Sequence, residues 1–356
     1  MDAQGLIQWL LEEGGPTIRY RTAKELVEPA DTNDLGKMSK ELAYNEEVRG
    51  WLERFDPLKV NQRTYHGSAD TCFENVLGKL VQLGMHAGMA PLDEKTEPVR
   101  NWVVQMFDAV EEQRDVFALI VITSFLAFAG YEDRTIETFL NSRLQVLYEF
   151  ARNYNYDIYD DSEKYKGIPE GFRGSPIIRP ELYRNGNYRY PLIYDIYGLT
   201  TLINKYDEKI NDKISTVINY ILSAGYHRTV VDRYGILAAP NGKYYSMGWD
   251  AKVPGFFEID DAVMKKGASL LQRMELMAHF PMVSTNSWFR NALEHLETYR
   301  TERGTYSLPK QYLGEKEGYY VCGMHMGLGE NRRQKTANEL ESTFWILKIK
   351  KSAGMI

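Results

Sequence analysis

Apolar residues recur at three- and four-residue intervals along most of the chain, and this period predicts amphipathic helices. The predicted helices follow one another in pairs, each joined by a turn or a loop. The pairs cover residues 3–13 with 16–28, 34–43 with 46–55, 71–83 with 98–110, 114–129 with 134–153, 192–205 with 208–223 and 261–280 with 286–300, and a last helix covers 337–350. Two short segments, 229–231 and 318–321, are the candidates for strands, and no strand pair is predicted.

The two members of a pair differ in polarity. A helix that is apolar on nearly every face is buried, whereas a helix with one charged face lies at the surface. The segment 114–129 is of the first kind, and the segments 208–223 and 286–300 are of the second. Such alternation is what an inner and an outer ring of helices require.

The links between helices also alternate in length. Links within a pair are mostly short, whereas links between pairs are long, as in 155–191, 225–260 and 301–336. Repeated helical hairpins either stack as a solenoid or close into a ring. We therefore predict an all-α fold, an α/α toroid of about six helical hairpins with the long loops at one end, as a single domain over residues 1–356.

The charge balance limits the partners of the protein. The 356 residues include 43 Lys and Arg and 49 Asp and Glu, a formal net charge of −6. Nucleic acids and anionic membrane surfaces attract basic proteins, so this balance argues against both. The longest apolar stretch, 116–130, is shorter than the ~20 residues that span a bilayer, so no integral membrane association is expected. Two cysteines and an N-terminus without a basic region favour a cytoplasmic protein.

Tyrosine is the unusual component. The chain has 25 tyrosines, and they concentrate in the long loops and at the helix starts that follow them. A tyrosine combines an apolar ring with a polar tip, so it suits a surface that is partly dry and partly wet. The loops therefore predict an aromatic pocket rim, although ordinary packing explains many of the rings.

Three segments resemble bacterial squalene-cyclase-like proteins: 9–22, which contains WLL and PTIRYRT, 65–84, which ends in KLVQLG, and 341–350, ESTFWILKIK. The resemblance implies the α/α toroid that class II terpene cyclases share with the β subunit of protein prenyltransferases. The Asp-x-Asp-Asp acid of those cyclases is missing, and its nearest counterpart is Glu258-Ile259-Asp260-Asp261. The resemblance therefore implies a fold without assigning cyclase chemistry.

The densest cluster of reactive side chains surrounds the start of the helix 71–83. His66, Asp70 and Cys72 lie there within seven residues, and we predict them as catalytic residues next to a substrate-binding Tyr65. A helix N-terminus lowers the pKa of a thiol, so Cys72 is a candidate reactive thiolate. The alternative is structural, with Asp70 as a helix cap and Cys72 as a small buried apolar residue.

A second cluster, Tyr319–His325, contains a Cys-x-x-His pair that is able to bind zinc. The spacing of Asp70 and Cys72 also resembles half of the prenyltransferase zinc site. In a closed ring the first and last long loops are neighbours, so Asp70, Cys72, Cys322 and His325 are candidate Zn²⁺ ligands. Tyr320 and His325 are also candidates for binding substrate. No other feature of the sequence requires a cofactor.

The opposing wall of the pocket is predicted from aromatic and acidic residues of the middle loops. The sequence YPLIYDIY contributes Asp195 and Tyr197 as catalytic candidates. The acidic group at 258–261 is a candidate general acid or, alternatively, a helix cap. The substrate-binding candidates here are Tyr190, Tyr194, Trp249, Phe256, Phe257, Glu258 and Asp261.

These features favour an enzyme that performs acid–base chemistry on an apolar or aromatic small molecule, terpenoid-like by resemblance. Two alternatives remain. A carbohydrate-active barrel of six helical hairpins predicts an open groove with carboxylates and arginines along its floor. A non-catalytic binding or scaffold protein on the same toroid predicts a plugged centre.

Overall fold

The protein is mostly helical in a computed structural model that describes residues 1–27, 32–62, 64–109, 115–184, 188–205, 207–231 and 234–356. Its α-helices are α1 (Ala3–Glu13), α2 (Pro16–Glu25), α3 (Thr32–Ala43), α4 (Glu46–Arg54), α5 (Phe73–Gln82), α6 (Ala90–Asp108), α7 (Val116–Phe128), α8 (Arg134–Ala151), α9 (Ile193–Thr200), α10 (Glu208–Ile221), α11 (Ala224–Thr229), α12 (Asp261–Lys265), α13 (Gly267–Met277), α14 (Ser287–Glu297) and α15 (Ala337–Ser352). The prediction of a mainly helical protein is confirmed. Among the described residues, no helix combines the length and the apolar character needed to cross a membrane.

The helix ends follow the capping residues. Asn45, Asp207 and Asn286 precede α4, α10 and α14, and each side chain accepts a hydrogen bond from a backbone N–H of the first turn. Three predicted helices differ clearly from the structure. The segment 192–205 is helical only over Ile193–Thr200. The segment 261–280 divides into α12 and α13 at Lys266, whose φ of −103° and ψ of 32° interrupt the helix. Helix α6 begins at Ala90, so Pro98 lies inside it and does not start it.

The protein also contains a small four-stranded sheet, which corrects the all-α prediction. Its strands are β1 (Tyr159–Asp160), β2 (Ile177–Ile178), β3 (Ile236–Ala238) and β4 (Tyr244–Ser246). They lie in the order β1-β2-β3-β4, with a parallel pair in the middle and antiparallel pairs at both sides. The strands have two or three residues each, too few to produce a two-residue period in the sequence.

Both predicted strands are wrong. Thr229 ends the short helix α11, and Tyr320–Cys322 forms a 3₁₀ turn. Isolated β-branched residues in a loop do not specify a strand without a partner strand beside them.

The chain divides into two compact units. The first comprises residues 1–101, 128–131 and 254–356, and the second comprises 102–127 and 132–253. The first unit contains α1 to α5 and α12 to α15. The second contains most of α7, then α8 to α11 and the sheet.

The core of the first unit is unusual because its buried helices carry polar side chains. Helix α5 is buried along almost its whole length, yet it includes Asn75, Lys79 and Gln82 with little or no exposed surface. Helix α13 buries Gln272 and Arg273 in the same way. Buried polar groups almost always have hydrogen-bond partners, so the partners of these side chains identify what packs against the helices.

Many tyrosines of the second unit are core residues. Tyr220 stacks on Tyr156 with 5.1 Å between ring centroids and meets the edge of Tyr226 at 5.5 Å. The Tyr220 hydroxyl donates to the carbonyl of Asn155, and the Tyr226 hydroxyl accepts from the amide of Ala251. Burial raises the pKa of Tyr220 and of Tyr226. The tyrosine excess therefore serves core packing here, where a pocket rim was predicted.

Candidate functional site

His66 forms a short contact with a fully buried carboxylate in the first unit. Its Nδ1 lies 2.6 Å from Oε1 of Glu74, which has no exposed surface, while the imidazole is 19% exposed. The amide of Gly67 donates to the same Glu74 oxygen at 2.9 Å. A proton on Nδ1 is required for this contact, so Glu74 fixes both the tautomer and the orientation of the ring.

The loop that contains His66 is folded back onto the first turn of α5. The side-chain amide of Asn75 donates to the carbonyls of Gly67 and Ala69, each at 2.8 Å. The amide of Glu74 donates to the carbonyl of Tyr65, which is half-buried. These bonds place the loop between His66 and Asp70 against α5.

Asp70 reaches a residue far away in the sequence. Its Oδ1 lies 3.4 Å from Nε2 of His325, which also faces the carbonyl of Gly318 at 3.0 Å. The His325 ring is buried and meets the edge of Trp51 at a centroid distance of 5.0 Å. The loop before α5 and the loop before α15 therefore come together through Asp70 and His325.

Lys79 of α5 binds the loop before α15. It has no exposed surface, and its Nζ lies 2.5 Å from Oε1 of Glu315 and donates to the carbonyls of His325 and Gly327. The amide of Gln82 donates to the same two carbonyls. Burial alone would raise the pKa of Glu315, but the charges and hydrogen bonds of Lys79 and His325 outweigh it, so the pKa is lowered.

Tyr320 lies between α5 and α13. Its amide donates to Oδ1 of Asn75 at 2.7 Å, and its carbonyl accepts from Nε2 of Gln272 at 2.5 Å. Its ring packs against Gly78, where a Cβ atom would lie 2.5 Å from the ring. Burial raises the pKa of Tyr320 well above that of a free phenol. This predicted substrate-binding residue is thus a buried link between two helices.

The residues that hold this loop are not among the predicted site residues. Asn75, Lys79 and Gln82 are spaced by four and three residues, so they share one face of α5. A polar stripe on a helix that is otherwise apolar was a visible signal. The role of the stripe was not visible, because the partners of Lys79, which are Glu315 and the carbonyls of His325 and Gly327, lie more than 230 residues away in the sequence.

The predicted thiolate and zinc ligands have other environments. Burial, with a smaller contribution from Glu74, raises the pKa of the Cys72 thiol, so the expected lowering is wrong. Neither Cys72 nor Cys322 forms a disulfide. In the part of the chain that the structure describes, no group of three or more His, Cys, Asp or Glu is placed to bind a metal ion. The zinc site of Asp70, Cys72, Cys322 and His325 therefore stays a prediction.

Three residues of the predicted opposing wall, Tyr194, Asp195 and Tyr197, belong to the second unit, where they are packed in the core. Asp195 forms a buried, bidentate ion pair with Arg143, with N–O distances of 2.7 and 3.0 Å, and also accepts from the amide of Leu192. The Tyr194 ring packs edge-on against Phe117, and Tyr197 stacks on Phe125. These contacts stabilise the start of α9, and the catalytic and binding roles of these residues stay predictions.

Two further wall residues, Tyr190 and Trp249, also belong to this unit. Tyr190 is buried, its carbonyl accepts from Arg143, and burial raises the pKa of its phenol far above the usual value. Trp249 is half-buried, and its carbonyl accepts from the amide of Ile193 at 3.0 Å. Both residues thus support the backbone around the start of α9.

The remaining candidates lie in the first unit, around the start of α12. Phe256 and Phe257 form an edge-to-face pair, and Phe257 is 59% exposed. Glu258 and Asp261 are exposed, and Asp260 accepts from the amide of Val263 as the cap of α12. Of the two predicted roles for this acidic group, the structure agrees with the helix cap, since Asp260 caps α12 and the neighbouring carboxylates are exposed.

Comparisons of the chain with family models, with curated protein sequences and with solved structures found no match. The geometry of the His66 loop and of the loop around His325 is therefore the basis for any functional assignment.

Proposed function

We propose that the first unit contains an acid–base catalytic site in which His66 exchanges a proton with a small-molecule substrate. One observation carries this proposal: a buried carboxylate, Glu74, lies 2.6 Å from Nδ1 of a histidine ring that reaches the solvent. A carboxylate in this position orients the imidazole for proton exchange with a substrate. Glu74 is therefore a positioning residue, and His66 is the group that meets the substrate.

Neighbouring residues support the same location. The imidazole of His66 lies 5.3 Å from the Tyr319 ring, and the partly exposed carboxylate of Asp70 is four residues along the loop. An aromatic face and a carboxylate beside a histidine suit a substrate that has both an apolar ring or chain and a polar group. We further propose that the substrate is terpenoid-like, that the fold is an α/α toroid and that the protein is cytoplasmic.

The filled space between α5 and α13 favours a second candidate, a non-catalytic binding or scaffold protein. The turn Tyr320–Cys322 occupies that space and is bound on both sides, by Asn75 and by Gln272. A protein whose helices are joined by a buried loop has less room for a substrate between them. In this case the His66–Glu74 pair only holds the loop before α5.

The test compares three variants on a panel of substrates: chromogenic glycosides, chromogenic esters and linear terpenes. We expect turnover to fall by about 10²–10⁴-fold in His66→Gln, the usual contribution of a general acid or base. Glu74→Gln should lose about 10–100-fold, as positioning partners usually do. His279→Gln is the matched control, because His279 forms another His–Glu contact, 3.4 Å from Glu275 on α13.

A measurement without substrate separates the two candidates further. The Nδ1 proton of His66 should give a downfield proton NMR signal that disappears in Glu74→Gln and persists in His279→Gln. Absence of this signal from the unmodified protein would contradict the proposed geometry. A normal signal together with turnover that survives in His66→Gln would contradict catalysis and favour the scaffold.

A further inference from the structure

Residues 326–332, here called the strap, follow His325 directly and are held by the last helix. Glu341 of α15 has no exposed surface, and its Oε1 accepts from the amides of Leu328 and Glu330 at 2.9 and 3.1 Å. Its Oε2 lies 2.5 Å from Nη2 of Arg332. One buried carboxylate therefore makes three contacts within five residues of the strap.

Contacts of further side chains complete the attachment of the strap. Nε1 of Trp345 donates to the carbonyl of Met326 at 3.0 Å. The carboxylate of Glu330 accepts from the amide of Gly15 at 2.7 Å, at the start of α2. Glu315 also contacts the strap, because it accepts from the amide of Gly327 at 2.6 Å, but its pKa is lowered, so it stays ionised above the ordinary value of 4.5. The indole contact does not change with pH, so Glu341 and Glu330, whose pKa values are raised, are the groups by which protons act on the strap between pH 5 and pH 8.

The positive charges near Glu341 lower its pKa by less than burial raises it. Arg332 lies in the strap, and the charge of Lys79 on α5 is shared with Glu315. Burial raises the pKa of Glu341 to about 7, against the opposing effects of Arg332, the two amides and Lys79. Glu330 faces Arg19 of α2 and Arg332, and burial raises its pKa as well.

We propose that Glu341 is a pH-sensitive latch that holds the strap closed and thereby regulates the candidate site. The connection to the site is direct, since the residue before the strap is His325, which contacts Asp70. The regulatory role rests on the proposed function, whereas the latch itself does not.

The direction of the effect follows from the two states of the strap. Opening hydrates Glu341 and returns its pKa to the ordinary value of 4.5, so the carboxylate ionises more easily in the open state. The closed state is therefore favoured below that value, and the advantage is lost as the pH rises towards about 7. The open fraction should increase by roughly two orders of magnitude between pH 5 and pH 8.

Hydrogen exchange of the Leu328 and Glu330 amides tests the latch directly. After correction for the intrinsic rate, their protection should fall by about 10–100-fold from pH 5 to pH 8. In Glu341→Gln, whose side chain does not ionise, most of the change in protection with pH should disappear, and only the contribution of Glu330 should remain. The amide of Leu296 on α14, which belongs to an intact helix, serves as the internal reference.

A second variant keeps the test informative if Glu341→Gln does not fold. Arg332 is partly exposed and lowers the pKa of Glu341, so Arg332→Gln should extend the fall in protection to higher pH. Flat protection in the unmodified protein, or the same slope in Glu341→Gln, would overturn the latch. Neither result depends on turnover. These measurements can therefore contradict the latch without contradicting the proposed function.

Discussion

At the scale of single residues, the same chemical type has different roles in different surroundings. Glu74 and Asp195 are both buried carboxylates with a basic partner at 2.6–2.7 Å. The partner of Glu74 is a histidine that reaches the solvent, whereas the partner of Asp195 is a buried arginine. A histidine is able to gain and lose a proton, whereas an arginine does not lose its proton. Only the first pair is therefore suited to proton transfer.

The Asp195–Arg143 pair should therefore matter for stability and not for function. Asp195→Ala leaves a buried guanidinium without its carboxylate, and we expect a loss of about 3–5 kcal/mol in the free energy of unfolding. Urea denaturation followed by circular dichroism measures this change. The exposed Asp261→Ala is the control and should change stability by less than about 0.5 kcal/mol. Equal effects of the two substitutions would contradict the structural role.

At the scale of elements, the loop before α15 packs tightly against α5. Gly78 is buried in the middle of α5, and the Tyr320 ring occupies the place where a side chain would begin. Glycine lowers helix stability by about 1 kcal/mol relative to alanine, so close packing is the reason for a glycine at this position. The packing of this loop thus explains why one position of α5 is a glycine.

Gly78→Ala should accordingly destabilise the protein, although alanine favours helices. A Cβ atom 2.5 Å from the Tyr320 ring forces the loop outward, at a cost of about 1–3 kcal/mol. Gly36→Ala on α3 is the matched control, because no atom lies within 4 Å of its added Cβ, and it should stabilise by about 0.4–1 kcal/mol. Thermal unfolding of both variants gives the comparison. A stabilised Gly78→Ala variant would show that Tyr320 is not held there.

At the scale of the whole molecule, buried carboxylates of two kinds determine how stability depends on pH. Arg21 and Lys348 outweigh burial and lower the pKa of Glu25, and the pKa values of Glu275 and Glu315 are lowered as well. Groups with lowered values stabilise the fold above about pH 4.5, and their contribution is lost in acid. Glu341 has the opposite shift, so its contribution is lost as the pH rises towards about 7.

Stability should therefore be greatest near pH 5–6 and decrease on both sides. The melting temperature measured from pH 3 to pH 9 tests this expectation. Glu341→Gln should remove most of the decrease on the alkaline side, which corresponds to at most about 3 kcal/mol. The acidic decrease should remain, because it comes from Glu25, Glu275 and Glu315. A variant that loses both decreases would contradict the assignment to Glu341.

The sequence by itself determined what depends on neighbours along the chain. The period of apolar residues predicted most helices, and side chains such as Asp207 and Asn286 marked their starts. The cluster at His66 was recognised because its members lie within one short loop. The contact of His66 with Glu74 was not predicted, since it depends on how that loop folds back.

Only the tertiary structure decided what depends on contacts between distant segments. It joined Asp70 to His325 and Glu341 to the strap, and it assigned Asp195 to Arg143. It also paired strands of two or three residues into a sheet. The physical reason is common to all of these cases: a polar group or a short strand gains stability from a partner, and the local sequence does not specify which distant partner folding brings into reach.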